Sequence, residues 1–228
     1  MINKFYKRIH NKYSKFFNFF FFLRYIISIF FVALCLFLLI PKFINYEKKL
    51  NVLSQSLDNF YNLELKGFDS IKYDVFPLPN LSIKNANLNI KNEAISLKTK
   101  NLRIFLNLKN IYNYQNFKAR KVFMKENKLV LNIDNKKDII VFFNKLKNRM
   151  DIQDLDIIFK KNNNSIFEIN NIAFSNYGFK KNKISGIIFK KKFKLKSDEK
   201  NKNISFKILN TGIKVKLDFE KIDADFAS

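Results

Sequence analysis

Residues 19–40, FFFFLRYIISIFFVALCLFLLI, form an apolar run of 22 residues broken by one charge, Arg24. A helix of that length spans about 33 Å at 1.5 Å per residue, enough for a hydrocarbon core of about 30 Å. Arg24 lies within a turn or two of one end, where its charge can reach the headgroups. Cleaved signal peptides carry shorter apolar regions of about 7–15 residues. No small-x-small site follows this run either, so an uncleaved signal anchor is expected. Lys4, Lys7, Arg8, Lys12 and Lys15 precede it without a single acid. The positive-inside rule therefore places the N-terminus in the cytoplasm. The predicted organisation is a basic tail (1–18), a transmembrane anchor (19–40) and a β-rich part across the membrane (41–228).

Beyond the anchor the periodicity changes twice. Leu50, Leu53, Leu57 and Phe60 recur at helical spacing, which predicts an amphipathic helix over about 47–62. From Ile71 the period falls to two, loosely through Tyr73, Val75, Pro77, Pro79, Leu81 and Ile83. Leu88 with Ile90, Ile95 with Leu97, and Leu102, Ile104, Leu106 and Leu108 continue it. Val122 and Met124, then Leu129, Leu131 and Ile133, predict a hairpin turning near Glu126-Asn127. Helical spacing returns at Ile139, Ile140, Phe143, Leu146 and Met150, predicting a helix over about 136–150. Strands follow at 155–159, 166–169, 184–189 and 193–195. The last hairpin runs from Ile204, Phe206 and Ile208 through Asn210-Thr211-Gly212 to Ile213, Val215, Leu217 and Phe219. The expected fold class is α+β, mainly antiparallel β: strands paired in succession as an open sheet, with one apolar face and one or two short helices.

Composition narrows the functional classes. A net charge of +24 first points to a polyanion, since Lys and Arg neutralise phosphates. Arg, the side chain suited to reading bases and forking onto phosphates, supplies only five of the 43 basic residues. Asn, Ile, Lys, Phe and Tyr abound together and share AT-rich codons, so a base bias accounts for much of the lysine excess. No nucleic-acid partner is expected. One His and one Cys exclude the usual zinc sites and any internal disulfide. His10 stands on the cytoplasmic tail and Cys35 inside the anchor, so neither joins a nucleophilic triad across the membrane. No phosphate-binding glycine loop, G-x-S-x-G or H-E-x-x-H occurs. Asp151, Asp154 and Asp156 read as carboxylates solvating a strand entrance. No catalytic residue, metal or cofactor is expected, and the chain reads as a non-enzyme.

The order of these parts carries a resemblance. Residues 73–86, YDVFPLPNLSIKNA, hold a P-x-P-x-L-x-I passage through Pro77, Pro79, Leu81 and Ile83. The Leu102-to-Leu108 strand and an I-x-L-like stretch up to Ile133 follow. With the anchor in front, this resembles the N-terminal region of the AsmA family of bacterial envelope proteins. The match is carried mostly by residues 73–134, and beyond 150 only the β-rich character agrees. The resemblance implies an inner-membrane protein with a periplasmic β-groove that holds phospholipid acyl chains. It also implies a contribution to phospholipid transport between membranes and to outer-membrane assembly, as for the related TamB and bridge-like lipid-transfer proteins. On the alternating pattern, the groove candidates are Leu102, Ile104, Leu106, Leu108, Ile204, Phe206, Ile208, Ile213, Val215, Leu217 and Phe219. The competing reading for each is an ordinary core position.

Members of that family are usually several times longer. The expectation is therefore a chain cut short at its C-terminus, or a short member whose last strand edge pairs with an envelope protein partner. A membrane-anchored scaffold binding through that edge is the alternative function.

Overall fold

The computed structural model describes residues 2–44, 46, 50–90, 95–107, 119–133, 142, 146, 148–162, 164–177, 181–198 and 203–218. The chain divides into two units, 1–44 and 45–228. The first is one helix, α1 (Ile2–Leu39), closed by a short 3₁₀ turn (Ile40–Phe43) with Pro41 in its first turn. The stretch Asn18–Phe43 is long and apolar enough to cross a membrane, and its most apolar 18 residues are not buried within the structure. The apolar run is thus continuous in helix with the basic segment before it.

The second unit is a helix, α2 (Leu50–Tyr61), and one open sheet of eleven strands. In chain order these are β1 (Leu63–Gly67), β2 (Ser70–Asp74), β3 (Asn80–Ile90), β4 (Ser96–Leu106), β5 (Ala119–Asn132) and β6 (Met150–Lys161). Then come β7 (Asn164–Ser175), β8 (Lys181–Ile188), β9 (Lys191–Asp198), β10 (Asn203–Ile208) and β11 (Lys214–Asp218). β1 and β2 lie end to end along one edge of β3, and the other strands follow in sequence to β11. The mainly antiparallel class expected from the alternation is what forms. One pair departs from simple succession: β5 and β6 run parallel. A parallel neighbour needs a crossover, and residues 133–149 supply it. The helix expected over 136–150 lies largely outside the described residues. Its expected last residue, Met150, instead opens β6, because its backbone is already paired beside Val122.

α2 buries Leu53, Ser56, Leu57 and Tyr61, a stripe at 3.6-residue spacing. Asn62 ends it in the left-handed region (φ 53°), its N–H donating to the Asp58 carbonyl at 3.0 Å. The Asn148 side-chain amide donates to the Phe60 carbonyl at 2.7 Å, so the crossover supplies a donor to the helix end. Phe142 and Leu146 of the crossover are buried as well. Asn176, just past β7, clamps its end. That side chain accepts from the Met150 N–H at 2.8 Å and donates to the carbonyls of Asn148 (2.7 Å) and Leu146 (3.3 Å). Asn176→Ala strips three backbone groups of their partner at once, and a loss of about 1–3 kcal/mol is expected in urea unfolding.

The expected hairpin at Glu126-Asn127 does not form: β5 runs through it unbroken. The physical reason lies in the backbone of Glu126, which sits in the left-handed region (φ 58°) inside the strand. There the buried positions step from Val122 and Met124 to Asn127, Leu129 and Leu131, with both Lys125 and Glu126 facing out. The same change of phase occurs on the neighbours. β3 passes from Ile83 to Ala86 across Lys84-Asn85, β4 from Thr99 to Leu102 across Lys100-Asn101, and β6 from Ile152 to Leu155 across Gln153-Asp154. β7 does so from Ile169 to Ile172 across Asn170-Asn171. Pairing aligns these breaks, with Lys84 beside Asn101, Asn101 beside Lys125, and Lys125 beside Gln153. Asn85, Asp154 and Asn171 share the left-handed conformation (φ 49°, 53° and 53°) that short Asn and Asp side chains tolerate. The result is a crease running straight across five strands.

Candidate lipid-binding face

One transverse row of side chains crosses the whole sheet on its inner face. Following the pairing, it runs Ile71, Ile83, Leu102, Met124, Ile152, Phe174, Ile184, Leu195, Phe206 and Val215. Every member is apolar. Their cover changes along the row. Ile83, Leu102 and Met124 are fully buried, Ile152 and Phe174 nearly so, and Ile184, Leu195 and Phe206 are half-buried. Val215 is 42% exposed, as is its strand neighbour Leu217 at 45%. The apolar face is therefore covered on β3–β7, partly covered on β8–β10, where Phe193 is still buried, and exposed on β11.

The sequence candidates divide along that line. Leu102, Ile104 and Leu106 of β4 are buried in the closed half, where Ile104 shares a second row with Leu81, Val122 and Met150. Ile204, Phe206 and Ile208 of β10 are half-buried, with the Phe206 ring 5.8 Å from that of Phe193. Ile213, Val215 and Leu217 are exposed. The final hairpin forms as expected, with Ile208 N–H donating to the Ile213 carbonyl at 3.1 Å and Gly212 at φ 75°. Leu108 and Phe219 lie outside the described residues. Ile184 and Leu195 are half-buried members of the row outside the sequence candidates. The pairing of β7, β8 and β9 brings them onto the row.

Across β8–β11 the opposite face is mostly polar and basic. Lys183, Lys196, Ser205 and Lys216 form one cross-strand row, and Ser185, Lys194, Lys207 and Lys214 the next. A hollow of about 280 Å³ on β6–β9 has Asp151, Gln153, Lys183, Lys194 and Lys196 in its lining. Beside it Lys121 donates to Asp151 Oδ2 at 2.9 Å and to the Tyr177 hydroxyl at 2.7 Å, and that hydroxyl donates to Asp151 at 3.2 Å. The acids singled out in the sequence thus have structural work. Asp151 closes this triangle, Asp154 turns the crease, and Asp156 accepts from the Asn171 N–H at 2.9 Å. Glu126, on the crease, is held below the usual carboxylate range by its hydrogen bond and charge contact with Lys100, with Lys125 and Lys84 adding to the effect.

Two groups tie stability to alkaline pH. Burial pushes the Tyr61 phenol up to about 12, from an ordinary value of 10.0. For Lys121 burial works downward, but the hydrogen bonds to Tyr177 and Asp151 outweigh it and leave the ammonium raised. In both cases the unfolded chain loses its proton first. The stabilisation is complete below the unfolded values and disappears as pH climbs through the folded ones. Urea unfolding between about pH 8 and pH 12 is expected to show stability falling above about pH 10. Tyr61→Phe and Lys121→Met should each flatten that fall.

Comparison with protein-family models, curated proteins and solved structures finds no match to this chain.

Proposed function

We propose that this chain is a membrane-anchored, AsmA-like lipid-binding protein whose open apolar sheet face holds phospholipid acyl chains. The observation that supports it most is the unbroken apolar row from Ile71 to Val215, buried from Ile83 to Phe174, half-buried at Ile184, Leu195 and Phe206, and exposed at Val215. A sheet's apolar face needs cover, and the side chains of Ile213, Val215 and Leu217, left exposed beside each other on this face, favour a binding surface there. Acyl chains match it chemically, each buried CH₂ contributing about 0.8 kcal/mol. Headgroups would remain in water at the sheet margins. On this reading the tail is cytoplasmic, the anchor sits in a bacterial inner membrane, and the sheet stands in the periplasm. Its contribution is to phospholipid movement between membranes and to outer-membrane assembly.

The test is native mass spectrometry of the sheet unit, residues 45–228, isolated from a bacterial envelope. Bound phospholipid at a defined ratio is the expected result. A lipid-free unit that also takes up none from vesicles would sink the reading. Salt-sensitive affinity for nucleic acid in the same preparation would favour the basic face as the working surface instead.

A further inference from the structure

Turns between strands are usually built from Gly, Pro, Asn, Asp and Ser. The β2–β3 turn, residues 75–79, reads Val-Phe-Pro-Leu-Pro, so that beside its two prolines every residue is apolar and none is a polar turn former. Phe76 is 85% exposed and Leu78 49% exposed. Their exposure is built in. The buried Asn80 side chain donates to the Leu78 carbonyl at 2.8 Å and to the Asp74 carbonyl at 3.4 Å. The Pro79 carbonyl accepts from the Leu106 N–H at 3.0 Å. Pro77 and Pro79 also limit the chain's freedom through their fixed φ. The turn is held by its polar atoms while its two largest apolar side chains point out.

Chain connectivity says what meets them. Tyr46 stacks on Tyr73 with ring centroids 6.0 Å apart and planes 12° apart, and both are buried. Tyr46 comes three residues after Phe43, the last residue of the apolar span. Three residues reach at most about 11 Å, whatever the orientation of the two units. Phe76 follows Tyr73 by the same number of residues. The end of the span is therefore tethered within about 11 Å of the residue that packs on Tyr73, three residues before Phe76.

We infer that the β2–β3 turn dips Phe76 and Leu78 into the interface of the bilayer that holds the anchor, giving the sheet unit a second attachment to the membrane. Aromatic side chains favour that depth, with the ring among the lipid carbonyls. This rests on residues 18–43 spanning a bilayer, and the test separates the two claims. The chain has no Trp, so a single introduced indole is a unique reporter. Full-length Phe76→Trp, Leu78→Trp, Phe31→Trp (in the span) and Phe189→Trp (the exposed β8–β9 turn) are reconstituted into phosphatidylcholine–phosphatidylglycerol vesicles. Part of the lipid is brominated near the carbonyls or deep in the chains. Deep bromines are expected to quench the Phe31→Trp protein, and the Phe76→Trp and Leu78→Trp proteins should emit at shorter wavelength than Phe189→Trp. Shallow bromines should quench those two at least about twofold more than the Phe189→Trp protein.

If Phe31→Trp is quenched while both turn variants behave like Phe189→Trp, the attachment is overturned and the anchor stands. If Phe31→Trp itself escapes quenching, the anchor reading fails and the attachment fails with it.

Discussion

Ile104→Asp is expected to leave the sheet unit unfolded at room temperature. Ile104 is fully buried between Leu81 of β3 and Val122 of β5, with Met150 next along the row. Removing the side chain's apolar burial costs about 2–5 kcal/mol. An aspartate there adds an unpaired carboxylate in the interior, worth several kcal/mol more. The sum approaches the roughly 5–15 kcal/mol that holds a typical domain together. Far-UV circular dichroism and urea titration of residues 45–228 would show it directly; a native-like unfolding midpoint would contradict the closed half of the sheet. Leu106→Asp should act in the same direction. Neither substitution reports on lipid, since any loss of binding would follow from loss of the fold.

The second large effect separates folding from binding. Val215→Asp combined with Leu217→Asp changes two side chains that are 42% and 45% exposed on β11. Substitutions at exposed positions usually shift stability by no more than about 0.5 kcal/mol each, so the unfolding midpoint should barely move. Lipid contact should suffer far more. Losing cover for about three methylenes costs about 2.4 kcal/mol, and bound phospholipid should fall more than tenfold at limiting lipid. Mass spectrometry of the purified unit reads the ratio. Unchanged lipid content in a folded double variant would move the binding surface away from β10–β11.

Much of this architecture is written in short-range pattern. Leu50, Leu53 and Leu57 announce α2, and Ile204-to-Leu217 announces the last hairpin, because each buries one face at one fixed period. The succession of strands is legible too, but the direction of one pairing is not. The parallel β5–β6 pair depends on where the crossover returns, and no local pattern around Met150 encodes that. The false hairpin at Glu126 has a different cause. A left-handed residue resets the alternation within one strand, and a reset looks like an ending when only periodicity is read. Alternation singles out the eleven groove candidates, but it reports only that a side chain faces inward and not what covers it. Leu102 and Val215 occupy the same transverse row and obey the same rule, yet the first is sealed and the second open. Cover comes from parts distant in sequence, so this distinction waits for the fold.

The aligned crease also bears on how eleven such similar strands find one arrangement. Lys, Asn and Ile recur so uniformly that an ordinary strand could slide by two residues and still present apolar side chains inward. Here such a slide would carry Lys125-Glu126 off the line formed by Asn101 and Gln153, pushing a lysine or a carboxylate inside on one half of the strand. Each polar doublet therefore acts as a detent: neighbouring strands click into a single alignment, and the two-residue slip left open by simple alternation is closed.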